Sequence, residues 1–290
     1  MLSRISFAGL YLIDILLAYV LTEDYIVTAV TAAVIPVILF IWQKVTLFKS
    51  GATHITKCRK ADADLLEAAY REVEERAKSC GYKIKKSAKL YIADEDTHNA
   101  YNCGKAIVVN RPILYGPELR AVLAHELNHY RCGHSYFSML LGANFFITGI
   151  SLSLFTGLYL LFIIIFFVAI LGIFTKNSGW FGLILAKLLI PLKRGVCNLI
   201  VTLLLAVEMA ISRSEEYASD AFAVAVDAGY GEDLISFLSM DTSLRKPLTF
   251  TERLLSSHPS DQRRCARIEQ RLEKIYAESN HSYEFPIPIE

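Results

Sequence analysis

The chain opens on apolar sequence. Ile5 to Thr22 is apolar apart from Asp14, and Tyr25 to Trp42 carries no charge. At roughly 1.5 Å per residue, each is about long enough to cross a hydrocarbon core of ~30 Å. Only Glu23 and Asp24 separate them in charge, so they read as a tight helical hairpin. A second span follows at once, and no small-residue cleavage site precedes a polar region, so the first span does not read as a signal peptide. A second apolar block runs from Ser135 to Thr175 without a charge and is broken by Lys176, Asn177, Ser178 and Gly179. It resumes from Trp180 to Leu192 with Lys187 inside, and again from Gly195 to Val207 after Lys193 and Arg194. The simplest reading is a second hairpin, out and back, with its last span poorly defined because of those bases. The alternative is a pair of helices partly embedded at the interface.

Between and after these blocks the pattern changes to that of water-soluble structure. Ala61 to Cys80 is charged and places Leu65, Leu66, Ala69, Val73 and Ala77 at helical period, with Gly81 as a terminator. Lys89 to Ala93, Asn99 to Asn102 and Lys105 to Asn110 read as short strands, with Gly104 at a turn. Pro117 and Glu118 open a helix that runs to about Arg131. Ser212 to Ala228 and Pro259 to about Ala277 are two further helices, and the tail from Phe285 has no pattern. The fold class is a mostly α integral membrane protein, with two transmembrane helical hairpins and an α+β domain built on a small β-sheet. The units are residues 1–43 and 135–211 as hairpins, and 44–134 and 212–290 as the two parts of the soluble domain.

Composition agrees. Of 290 residues 53% are hydrophobic and 20% charged, below the roughly 25% charge of a typical soluble domain. The net charge of +1 gives no ground for a nucleic-acid partner. Arg4 precedes the first span, and Lys44, Lys49, Lys57, Arg59 and Lys60 follow the second. The positive-inside rule then puts the N-terminus and the soluble domain in the cytoplasm. Asp14 is costly in lipid; facing the hairpin partner, lining a polar cavity and a functional role all remain open. The six cysteines form no C-x-x-C pair, so they read as free, mostly buried thiols and not as a zinc site.

The candidate chemistry lies in the helix after Glu118, whose sequence AVLAHELNHY contains H-E-x-x-H as His125, Glu126 and His129. Residues four apart share one face of a helix, so both imidazoles can hold one metal ion. Glu126, to the side, can take a proton from a metal-bound water. Zinc suits two imidazoles and a carboxylate, with one position left for water. The null, two histidines on a polar face, fits poorly with Leu119, Val122 and Leu123, which mark a buried helix. A histidine six residues after His129 would complete one known spacing, but that position is Ser135. His134 is one place short, points away from the ligand face and reads as a surface or membrane-interface residue. The better third ligand is Glu216, in SEEYASDAF, with Asp220 four residues on to fix the tautomer of a ligand imidazole. Glu215 points about 100° away and has Ser219, not an acid, one turn later. Because these residues flank the second apolar block, that block crosses an even number of times or not at all.

Together these segments resemble the HtpX family of membrane metallopeptidases, relatives of the CAAX prenyl endopeptidase. The resemblance covers nearly the whole chain: an N-terminal hairpin, Asn99-Ala-Tyr with a strand after it, AVLAHELNHY, an apolar block, EEYASDAFA, and a segment from His258-Pro to Ile268. It implies a zincin-like catalytic domain with one Zn2+ per chain, held by His125, His129 and Glu216, and Glu126 as general base. It also implies that Asn99, Ala100 and Tyr101 lie on an edge strand that binds substrate backbone. By the same resemblance His258 lies near the site, and Arg264 contacts substrate or the developing oxyanion. Asn128 stands where glycine is frequent, and Ser260 where a second proline or another small residue is frequent; both bear on substrate range and not on chemistry.

The function expected is zinc-dependent hydrolysis of membrane protein or peptide substrates, and the resemblance implies a role in membrane protein quality control. The two-hairpin plan suggests a bacterial inner membrane, with the lipid bilayer as the other partner. The rivals are a specific processing or sensor peptidase of the CAAX or BlaR type, and a catalytically silent membrane binding factor. A site-two-type intramembrane protease would need its motif within an apolar span, whereas Arg120, Asn128, Tyr130 and Arg131 surround it here.

Overall fold

The computed structural model describes residues 12, 15, 16, 19, 23–136, 139–140, 157–170, 172, 178–240 and 258–281. Asp14, most of the first apolar span, most of 135–156 and the tail from Phe285 lie outside the described residues. Helix α1, Tyr25–Lys49, starts on an Asp24 side chain that accepts from the Ile26 N–H. It does not stop at Trp42. It continues to Lys49, where Gln43 donates to the Cys103 carbonyl at 3.0 Å, so it ends on the soluble domain.

A four-stranded sheet follows, in the order β1 (Thr53–His54), β2 (Lys89–Ala93), β4 (Ala106–Asn110), β3 (Ala100–Cys103). β2 and β4 are parallel, and β3 is antiparallel to β4 with Ala100 opposite Val109 and Cys103 opposite Ala106. A two-residue turn joins β3 to β4. It needs glycine at position 104 twice over: φ is +61°, and an added Cβ would come within 2.7 Å of the Tyr136 hydroxyl. The expected strands are found, and β1 is an addition that the two-residue segment was too short to signal.

Helix α2, Lys60–Ser79, shares its apolar core with this sheet. Its buried face is Leu66, Ala69, Tyr70, Val73 and Ala77; Leu65, expected there, is 38% exposed. Tyr70 takes that place and accepts the Ala88 N–H at 2.9 Å. After the short helix α3 (Arg111–Leu114), α4 (Leu119–Cys132) buries every residue from Ala121 to Asn128. It packs against α2, strands β3 and β4, and two later helices.

Helix α5, Gly157–Ile170, is apolar. It is followed by α6, Ser178–Val226, a single helix of 49 residues. The segments Trp180 to Leu192 and Gly195 to Val207, and the third from Ser212 as far as Val226, read separately from sequence, are one element. Lys193 and Arg194 do not break it, because basic residues are good helix formers whatever their cost in lipid. Trp180–Val226 within it is, among the described residues, the one stretch long and apolar enough to cross a membrane, where the sequence suggests four spans. The boundaries expected at 43/44 and 211/212 both fall inside helices. Helices α7 (Ala228–Met240) and α8 (Asp261–His281) close the domain, with Ile268 and Leu272 buried.

Candidate metal centre

Three helices bring the polar cluster together. α4 supplies His125, Glu126 and His129; α6 supplies Glu216 and Asp220; the first turn of α8 supplies Arg264. All except His129 are at most 9% exposed. Burying so many ionisable groups in one place is costly unless they satisfy one another or a cation.

The Nε2 atoms of His125 and His129 are 3.0 Å apart, and each lies 3.5 Å from a Glu216 carboxylate oxygen. Ligand atoms at ordinary zinc bond lengths on a tetrahedron stand about 3.3 Å from one another. The donor set and its spacing thus fit a tetrahedral zinc. Glu216 is the carboxylate that joins the imidazoles, rather than Glu215.

The outer atoms of the cluster are also engaged. Asp220 Oδ1 lies 2.9 Å from His125 Nδ1. Arg264 donates to both Asp220 oxygens, at 2.8 and 2.6 Å, and its Nη1 lies 3.1 Å from Glu216. Arg264 is thus clamped on the carboxylates that surround His125. His258, whose side chain is 68% exposed, reaches Glu216 with Nδ1 at 3.3 Å.

Charge follows from this geometry. Burial opposes a charged His125, but its contacts to Asp220 and Glu216 outweigh that and lift it to about 10. Burial raises Glu216 too, yet His125, His258 and Arg264 drive it far below the usual carboxylate range. Burial and the charge on His125 hold His129 well below an ordinary histidine. Glu126 is pushed up to about 7 by burial, with the His125 charge opposing.

Strand β3 lies at the edge of the sheet, with Ala100 and Tyr101 in it and Asn99 just before it. The Asn110 N–H donates to the Asn99 carbonyl at 3.0 Å, so Asn99, Tyr101 and Cys103 turn their backbone groups toward β4. Ala100 and Asn102 turn theirs to the open edge, and the Asn102 N–H meets the Glu126 carboxylate. Tyr101, whose backbone faces β4, has a side chain that borders a cavity of about 310 Å³, lined also by Trp42, Thr46, Cys103, Tyr136 and Met139.

Two features escaped the sequence. His134 is neither exposed nor turned away: it is 7% exposed, and its Nδ1 lies 2.9 Å from His129 Nδ1. Burial lowers it to about 4. Asn128, read as a departure without consequence for chemistry, is 2% exposed, donates to Ser219 at 3.0 Å and accepts from Arg131 at 2.7 Å, tying α4 to α6. The cysteines are free, but Cys103 alone is buried and Cys80 is exposed, so "mostly buried" does not describe them.

The profile of Peptidase family M48 matches residues 66–272, a range that holds every residue of the cluster. No curated protein matches. Among solved structures, Ste24p of S. mikatae is similar at 17% identity and a TM-score of 0.48. The similarity covers 90% of this chain and 63% of that one, so the chain spans less than two thirds of its neighbour's length.

Proposed function

The chain belongs to peptidase family M48, matched over residues 66–272 of 290, and on that premise we propose that it is a membrane-bound, zinc-dependent endopeptidase of the HtpX type. The observation that carries the proposal is the convergence of His125, His129 and Glu216 from α4 and α6, with the buried Glu126 carboxyl beside them. His125, His129 and Glu216 would hold one zinc ion, which supplies Lewis acidity and lowers the pKa of a bound water to about 7. Glu126, pushed up to about 7, is matched to accept a proton near neutral pH and to return it to the leaving amine. Asp220 keeps the Nδ1 proton of His125 and leaves Nε2 free to bind metal. Arg264 balances the charge of Asp220 and Glu216 and keeps both ionised. An extended substrate would pair with the outward backbone groups of Ala100 and the Asn102 carbonyl, as an added strand.

The test is metal analysis and casein cleavage of the detergent-purified full chain. Glu126→Gln keeps one zinc per chain and loses cleavage by a factor of about 10² or more. Glu216→Ala loses zinc, while Glu215→Ala keeps it. Retained cleavage in Glu126→Gln would remove the assigned base.

Membrane protein quality control, from a bacterial inner membrane with the catalytic domain in the cytoplasm, is the role this reading favours. The cavity beside β3 supports a second, narrower reading. A largely apolar pocket next to the edge strand can select one substrate side chain, as a processing peptidase requires. Cleavage of several unrelated membrane substrates at similar rates would argue for quality control; cleavage of one alone would argue for processing.

A further inference from the structure

His129 and His134 meet through their Nδ1 atoms at 2.9 Å, ring centroids 5.0 Å apart and nearly perpendicular. The protons in this contact follow from its partners. Nε2 of His129 faces His125 and Glu216 and needs its lone pair to bind metal. A neutral imidazole has one N–H, so the proton of His129 sits on Nδ1 and donates to His134. His134 then accepts at Nδ1 and keeps its own proton on Nε2. The turn that makes this possible is Gly133, at φ +76°, which ends α4 and swings the next residue back over the last turn.

We propose that His134 is a positioning residue: as a buried hydrogen-bond acceptor it fixes the tautomer and ring rotation of the metal ligand His129. The two ligand imidazoles are thus held differently. A carboxylate, Asp220, orients His125, and Arg264 is needed to balance it. A neutral imidazole orients His129 and brings no charge that would need a partner. The proposal rests on the zinc site described above.

Zinc affinity of the detergent-purified full chain, measured by competition with a chromophoric chelator, tests it. His134→Leu keeps bulk but has no acceptor and is expected to bind zinc about 10- to 100-fold more weakly. His134→Asn places an amide oxygen near the original Nδ1 and is expected to stay within about threefold of wild type. Thermal unfolding of the zinc-free proteins reports whether each variant folds. A folded Leu variant with wild-type affinity, or a folded Asn variant as weak as Leu, would overturn the proposal. If Leu does not fold, the Asn variant alone decides, a loss of tenfold or more counting against it. Absence of zinc binding by the wild type would instead overturn the metal site itself.

Discussion

Glu126 and Glu216 are both buried glutamates of one cluster, and their surroundings drive them in opposite directions. Glu216 lies within reach of His125, His258 and Arg264 and stays ionised far into acid. Glu126 is as deeply buried but lacks a cation bonded to it, so its carboxyl rises from the usual 4.5 to about 7. A raised folded-state value means that stability is complete below about pH 4.5 and is lost as pH rises through about 7. Glu126→Gln should therefore stabilise the zinc-free protein at pH 8, by something on the order of 3 kcal/mol, and leave it nearly unchanged at pH 4. Chemical unfolding at the two pH values measures this, and equal effects at both would mean that Glu126 is not held protonated. A bound cation opposes the shift, so the zinc-loaded protein should show a smaller difference. At this scale the grouping of His125 and His129 was legible, because residues four apart share a helix face. The charge each carries was not, because it depends on neighbours 90 or more positions away, as His125 depends on Asp220 and Arg264.

At the scale of elements, two helix ends decide the site. α4 stops at Cys132, and Gly133 caps it by donating to the His129 and Tyr130 carbonyls at 2.9 and 3.2 Å. Continued as a helix, the chain would carry His134 about 140° around from His129; the left-handed glycine brings it back. An added Cβ at Gly133 meets nothing within 4 Å, so a substitution there is penalised by backbone conformation alone. Gly133→Ala is expected to lower stability by about 1 kcal/mol, read as a lower thermal midpoint of the zinc-free protein. No change would mean that residue 133 does not sit at positive φ in solution. The other decisive element is α6. Charges at Lys187, Lys193 and Arg194 suggest breaks, yet the helix runs unbroken from the apolar block to Glu216 and Asp220. At its 49 residues it is about 74 Å long, more than twice a hydrocarbon core of ~30 Å. Part of it therefore stands outside any bilayer it crosses, and that part brings the acids to the imidazoles.

At the scale of the whole molecule, α1 and α6 are continuous helices that lead from apolar surface to the domain that holds the buried polar cluster. α1 leaves Ile26, Val37, Phe40 and Trp42 more than half exposed before Gln43 docks on Cys103. By the positive-inside rule, the bases that follow it predict a cytoplasmic position for the domain they lead into. Cys80 tests this, because it is the exposed thiol. In a variant that retains Cys80 alone, a membrane-impermeant maleimide should label inverted vesicles and spare right-side-out ones. The reverse pattern would invert the topology.

Residue spacing alone was enough to group His125, Glu126 and His129 on one helix and to pick out the strands and the apolar blocks, because each is written in short-range spacing: four residues for a helix face, two for a strand, about twenty for a bilayer. It also pointed to Glu216 over Glu215, from the acid that recurs one turn later. Packing was needed to show that α6 is one helix, that His134 turns inward, that the Asn102 N–H meets Glu126, and that Arg264 is locked to Asp220 and Glu216. Those features depend on one left-handed glycine and on helices packed across long stretches of chain, and no local pattern of residues encodes such distances.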